Sequence, residues 1–188
     1  MRYHPEDKKK TRQRILSVSA RRYRSEGLNS VGIANLMADL GMTHGGFYAH
    51  FADKEALVAA TCEHAFASQL KHWQALQQSH PQQPFRALVE DYLSRQHVEH
   101  PETGCLAAAL AGEMARRDTR SRQAFTLGIE QLLQHLQHLP DCRLAPQAAL
   151  SLMLGAVMLA RAVSDRSLSE NILQQARETL TSVHDNQP

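Results

Sequence analysis

Several things are scarce in these 188 residues, and each scarcity closes off a class of protein. Aromatic residues make up only 5% of the chain, with modest glycine and proline, so neither a strand-rich sandwich nor a disordered chain is expected. Cysteine occurs three times, at Cys62, Cys105 and Cys142, and never as a CxxC pair. No apolar run is long: the longest, "LMLGAVMLA" at 152–160, has nine residues, against the roughly 20 that a membrane-crossing helix needs. The N-terminal "MRYHPEDKKK" has no apolar stretch of the kind found in a secretory leader. A cytoplasmic protein in a reducing setting, with no membrane partner, is the expectation.

Catalytic signatures are missing too. The one glycine pair, Gly45-Gly46, is not part of a GxGxxG run. A thiol enzyme built on Cys105 with His97 or His100 would lack an orienting acid at a telling spacing. His135/His138 and His97/His100 share helix faces at i, i+3, but no acidic or cysteine cluster completes a metal site. No enzyme activity, metal or cofactor is expected.

What is present is unevenly placed. Residues 1–55 hold ten Lys/Arg against six Asp/Glu, whereas residues 56–188 hold eleven against thirteen. Much of the basic excess lies in "DKKKTRQR" and "ARRYR". That asymmetry favours a polyanion-binding module joined to a neutral body.

Nearly every segment reads as helix, and no strand-like alternation appears. Pro5 with Glu6 and Asp7 suits a first helical turn, and Gly27 stands where that helix should stop. Ser30 is expected to cap a short helix carrying Ile33, Leu36, Met37 and Leu40 at i, i+3, i+4, i+7. Gly41 ends it, Thr43 caps the next short helix, and Asp53 caps a long one running to the breaker "SHPQQP". Further helices are expected at about 85–99, 103–117, 119–138, 146–164 and 169–183. The fold class is all-α: an N-terminal three-helix helix-turn-helix DNA-binding domain over 1–54, joined to a C-terminal helical-bundle domain over 55–188.

The chemistry concentrates in "MTHGGFYAHF", residues 42–51. Rotation by 100° per residue puts Phe47 and Phe51 on one side, toward a small core with Ile33, Met37 and Tyr23. The other side carries Gly45, Gly46 and Ala49, a nearly bare backbone that can approach a phosphate-lined groove closely. Around it stand the Thr43 hydroxyl, the free N–H groups of the helix start, the Tyr48 hydroxyl and Lys54, all suited to phosphate oxygens. His44 can donate to a purine edge in the major groove, and Tyr48 and His50 flank the bare face. Charging of His44 and His50 at low pH would strengthen DNA binding mildly.

The stretch "TRQRILSVSARRYRSEGLNSVGIANLMADLGMTHGGFYAHFADKEALVAA", residues 11–60, closely resembles the N-terminal domain of TetR/AcrR-family transcriptional repressors. The shared pattern comprises the Gly27-Leu28 stop, the Ser30 cap, Gly41 in the turn, "GGFYAHF" and Asp53-Lys54-Glu55. The resemblance implies a homodimer whose two recognition helices enter successive major grooves of a near-palindromic operator in double-stranded DNA. It implies phosphate contacts from Thr43, Tyr48, His50 and Lys54, with His44 and Gly45 nearest the bases and Ser30 touching the backbone. His44 and His50 depart from the family's frequent lysine and tyrosine.

The same resemblance implies a small-molecule effector pocket in the C-terminal domain, whose occupation favours a non-binding spacing of the two heads. His64, Phe66, Trp73, Tyr92, Met114 and Phe125 are candidates for lining it, or are ordinary core. In "PETGCLAAALAGEMARRD" an N-cap at Thr103 would set Cys105 in a first turn, where a thiol becomes reactive. Some family members of this form sense electrophiles or oxidants through a cysteine near this helix start. The function expected is thus a sequence-specific repressor released by an effector or by modification of a cysteine, the alternative being an electrophile or oxidant sensor acting through Cys105. Residues 146–164 are apolar nearly all round, and Ile172, Ala176, Leu180 and Val183 continue a stripe. Excess apolar surface there points to a homodimer through the helices at about 146–183.

Overall fold

The computed structural model describes residues 5–182. Among them are nine α-helices and no strand: α1 (Pro5–Glu26), α2 (Ile33–Asp39), α3 (Lys54–Ser79), α4 (Pro84–Tyr92), α5 (Arg95–Glu99), α6 (Leu106–Met114), α7 (Thr119–Gln137), α8 (Pro146–Ala162) and α9 (Arg166–Thr181). Two 3₁₀ helices, His44–Ala49 and Pro101–Thr103, lie between them. The all-α expectation is met.

The helix ends follow the local chemistry. Pro5 opens α1 with Glu6 and Asp7 in its first turn, where the unpaired N–H groups favour acids. Gly27, at φ 80°, closes it, donating its N–H to Tyr23 O at 3.0 Å. Gly41, at φ 68°, closes α2 with the paired bonds Met42 N to Met37 O and Gly41 N to Ala38 O, both 2.9 Å. A left-handed residue past a helix end is glycine's usual place. Asp53 caps α3, its carboxylate accepting from Ala56 N at 2.6 Å.

Several boundaries differ from expectation, among them the start of α9 at Arg166 rather than 169 and the end of α6 at Met114 rather than 117. Ser30 does not cap α2: Gly32 holds the cap position without a side-chain bond. Leu28 and Val31 are drawn into the core first, which leaves Ser30 outside. The expected helix over 85–99 breaks at Leu93, because Ser94 caps a new one by accepting from His97 N at 3.2 Å. The helix expected from 103 starts later, with Cys105 at its cap position and Thr103 in the preceding 3₁₀ turn.

α3 has 26 residues, a rod of about 39 Å at 1.5 Å per residue. One continuous core follows it, from Ile15, Tyr23, Met37, Phe47 and Phe51 at the head end to Trp73, Leu132 and Val157 in the body. α7 is its main partner. Gly128 lets the two helices close up, since a Cβ there would overlap the Phe66 ring. On α8 the inward stripe is Ala149, Leu150, Met153, Ala156, Val157 and Ala160, all buried. The opposite stripe, with Met158 and Leu159, stays exposed. α9 buries Leu173, Ala176 and Leu180, and Val183 lies outside the described residues.

Candidate nucleic-acid interface

The segment His44–Ala49 is a 3₁₀ helix of six residues, longer than that form usually runs. Packing on one side sustains it. Phe47 is fully buried and stacks on Phe51 with centroids 5.6 Å apart. Thr43 caps it, its Oγ1 accepting from Gly46 N at 3.3 Å. The Thr43 hydroxyl therefore keeps its own proton free for a phosphate oxygen.

The outward side is as bare as the sequence implied at Gly45, where a Cβ would meet nothing within 4 Å. Gly46 differs. A Cβ there would rest on Thr43 Oγ1 at 3.5 Å, Met42 Cε at 3.7 Å and Met37 Cε at 3.8 Å, so Gly46 faces α2 rather than outward. The tighter 3₁₀ winding accounts for this, because side chains turn about 120° per residue instead of 100°.

Tyr48 is 57% exposed, yet its ring is fixed. It sits edge-on against Phe47 at 5.3 Å and His44 at 5.6 Å. His44 and Tyr48 thus form one projecting pair. His50 is half-buried, and its Nδ1 has no partner among the described residues. Burial first, then the charges of Lys8 and Arg12, lower its pKa. A neutral ring keeps one proton, and with Nδ1 enclosed the Nε2–H is the donor left for a phosphate. His50 charges only at pH below the ordinary histidine range, so its share of the expected strengthening is deferred to acid conditions. Lys54 opens α3, and Ser30 is exposed just before α2.

Arg12 was not singled out by sequence reasoning. From α1 it donates to His50 O at 2.8 Å and lays its guanidinium over the Phe51 ring, 4.2 Å from the centroid. It ties the end of the 3₁₀ segment to α1. Its i, i+4 spacing from Lys8 marks a basic face of α1, but nothing in the sequence shows what that face meets.

In the body, Phe66, Trp73, Tyr92, Cys105 and Met114 are all buried in the continuous core. Trp73 lies between Tyr92, at 6.2 Å, and His135, at 5.9 Å, while Phe125 packs edge-on to Phe66 at 5.4 Å. His64 stands apart: it meets Ser17 Oγ at 3.3 Å and lines an open groove of about 530 Å³ with Arg12 and Lys71, between α1 and α3.

Cys105 has a distinctive neighbourhood. Its sulfur is enclosed, the residue being 1% exposed, and its N–H donates to His97 Nε2 at 2.8 Å. That fixes the His97 tautomer, whose Nδ1–H donates to Tyr92 O at 2.6 Å. The Tyr92 hydroxyl is buried without a hydrogen-bond partner among the described residues, and burial drives its pKa well up. Two guanidiniums flank the thiol. Arg24 of α1 reaches Glu102 O at 3.4 Å, and Arg161 of α8 reaches His97 O at 2.5 Å. No carboxylate pairs with either among the described residues, and burial lowers the pKa of both.

Comparison with known proteins matches residues 15–61 to the family model described as bacterial regulatory proteins, tetR family. A curated relative, the uncharacterised HTH-type transcriptional regulator YerO of Bacillus subtilis, is 24% identical over 85 residues, 45% of this chain and 29% of that protein. The match therefore spans under a third of the relative's length. Two solved structures share the fold over nearly the whole chain. Reduced NemR of E. coli aligns with TM-score 0.76 at 24% identity, covering 92% of this chain and 96% of that one. AibR in complex with isovaleryl coenzyme A and operator DNA aligns with TM-score 0.63 at 18% identity, covering 90% and 97%. The matched residues are those that build most of α1, α2, the 3₁₀ segment and the start of α3, so it is the helix-turn-helix end of the chain that resembles the tetR family of bacterial regulatory proteins.

Proposed function

We propose that this protein is a dimeric, sequence-specific DNA-binding repressor that leaves its operator when a small-molecule effector occupies the body. The observation that carries this reading is the segment Thr43–Tyr48. A bare backbone at Gly45 is flanked by a fixed His44–Tyr48 pair and a capped helix start, on the basic end of the molecule. Such a surface suits phosphates and a groove edge. Thr43, Tyr48, His50 and Lys54 take phosphates, His44 and Gly45 lie nearest the bases, and Ser30 touches the backbone. The exposed stripe on α8, with Met158 and Leu159, seats a second copy and so sets two heads against a near-palindromic site. AibR, of the same fold, is solved with operator DNA and an acyl coenzyme A together, which supports a body that takes ligand in a DNA-binding protein.

The experiment is a salt-dependent gel shift with DNA from upstream of the protein's own coding sequence. A repressor shifts a short palindrome strongly and scrambled duplex weakly; equal affinity for both sinks the reading.

A second reading has its own observation. Cys105 lies beside an unpartnered Tyr92 hydroxyl and near two guanidiniums without carboxylate partners among the described residues, donors that could hold an anionic adduct of this side chain. Release is then triggered by modification of this thiol rather than by a reversibly bound ligand. With Cys105→Ser, electrophiles no longer release the operator; unchanged release ends this alternative.

A further inference from the structure

The helix-turn-helix has two ends, and one corner of the body holds both. At the upstream end the chain leaves α1 through Gly27, and the next N–H, that of Leu28, donates to Glu113 Oε2 of α6 at 3.0 Å. The Glu113 carboxylate lies over Gly27 so closely that a Cβ there would stand 2.7 Å from Oε1. Asn29 Oδ1, one residue on, accepts from Arg117 Nη2 at 3.1 Å.

The downstream end meets the same corner. Arg117 donates its other terminal nitrogen to Glu55 Oε1 at 3.1 Å. Ser121 Oγ donates to Glu55 Oε2 at 2.8 Å, and Arg120 faces the Asp53 cap at 3.6 Å. The Arg120–Asp53 pair is exposed on both sides and contributes little. The other bonds are better shielded: the Arg117 side chain is 16% exposed and Ser121 is fully buried. Charge-assisted bonds in such surroundings are the stronger kind. Arg117 also spans two acceptors at once with its planar fork, which a lysine point charge cannot do.

Between these anchors, at residues 28–29 and 53–55, lie Ser30, Thr43, His44, Gly45, Tyr48 and His50, with Lys54 inside the second anchor. Everything that meets DNA is thus carried between two points fixed to the α6–α7 joint. We infer that Glu113, Arg117 and Ser121 are positioning residues for DNA binding. They touch no nucleic acid, but they set the angle at which the body presents each head, and so the spacing of half-sites that a dimer accepts. The inference rests on the operator-binding reading above.

The test uses the full chain and three duplexes: the operator palindrome, the same half-sites separated by one extra base pair, and scrambled DNA. Glu113→Ala and Arg117→Ala are expected to weaken palindrome binding about tenfold, within the usual range of coupling between sites. They should also flatten the penalty for the inserted base pair. Affinity for scrambled DNA and the salt dependence of binding stay as in the wild type, because no phosphate contact is removed. Glu113→Gln, which can still accept from Leu28 N–H, recovers most of the affinity, while Arg117→Lys does not.

Variants indistinguishable from wild type on all three duplexes overturn this inference and leave operator binding intact. Equal losses on palindrome and scrambled DNA, with a lowered melting temperature, also overturn it, since the joint then only stabilises the fold. If the wild type itself fails to prefer the palindrome, the operator reading falls and takes this one with it. Should an alanine variant not fold, Arg117→Lys, which keeps charge and length, carries the same comparison.

Discussion

Gly45→Ala and Gly46→Ala are one methyl group each, one residue apart, and are expected to act differently. In the free protein both fit. At Gly45 the new Cβ meets nothing within 4 Å, and at Gly46 its nearest neighbour, Thr43 Oγ1, is at 3.5 Å, ordinary van der Waals contact. Alanine is favoured over glycine by about 1 kcal/mol within an α-helix, and by less in a 3₁₀ turn, so neither variant should melt below the wild type. Against DNA the two part. The Gly45 methyl stands on the exposed face, and a gap of about 0.5–1 Å forfeits a quarter to a half of each atom-pair attraction. The larger loss comes from phosphate bonds stretched beyond reach. A hydrogen bond to a charged group is worth about 1.5–3 kcal/mol, so one lost bond per head weakens binding about tenfold or more. Gly46→Ala, covered by the Thr43 and methionine side chains, stays near wild type. Fluorescence anisotropy with a labelled operator duplex at fixed salt gives both affinities, and circular dichroism melts confirm folding. A folded Gly45→Ala with wild-type affinity refutes close approach. Equal losses in both variants would instead assign the glycines to local backbone conformation.

At the α3–α7 crossing, Gly128→Ala forces its Cβ into the Phe66 ring. Overpacking of that kind costs about 1–3 kcal/mol, which outweighs the roughly 1 kcal/mol gained in helix propensity, so thermal melts should shift down. His97 provides a pH prediction. Burial lowers its pKa from the ordinary 6.5, so the unfolded chain takes up the proton more readily than the folded one. Stability is therefore full above pH 6.5 and declines as pH falls below it. His97→Gln should shallow that decline in melts run from neutral to acid pH; an unchanged slope refutes the assignment. Leu159→Arg alters a side chain that is 57% exposed, so it should leave the helical spectrum intact while converting a dimer to monomers in sedimentation velocity. A variant that still sediments as a dimer moves the interface off the α8 face.

The head was legible because its signals are local. Gly27 and Gly41 sit where a chain must turn left-handed, Asp53 and Thr43 cap the helices that follow them, and Phe47 and Phe51 recur at buried spacing. Each of these is settled within a few residues along the chain. Gly46 was misplaced for an equally local reason: the rotation per residue depends on whether the segment winds as α or 3₁₀, and capping and packing, not the residue pattern, chose the tighter form. Residue type alone points to Ser30 and Thr103 as caps. The cap position depends instead on which apolar neighbour is drawn inward, and that is settled by the rest of the core.

By itself, then, the sequence determined an all-helical chain with a basic helix-turn-helix at one end. Its neutral body carries an apolar helix with more hydrophobic surface than one bundle buries. Periodicity, capping and charge distribution are properties of neighbours in the chain, and they suffice for that. Only the tertiary structure decided that Arg12 secures the end of the 3₁₀ segment, and that Arg24 of α1 and Arg161 of α8 both reach backbone carbonyls of the segment before Cys105. The same holds for Glu113 and Arg117 of the body gripping both ends of the helix-turn-helix. Those pairs are separated by 38 to 88 residues where they are hydrogen-bonded, and what brings them together is the packing of α1, α6 and α7 around α3. No rule about neighbouring residues encodes that packing.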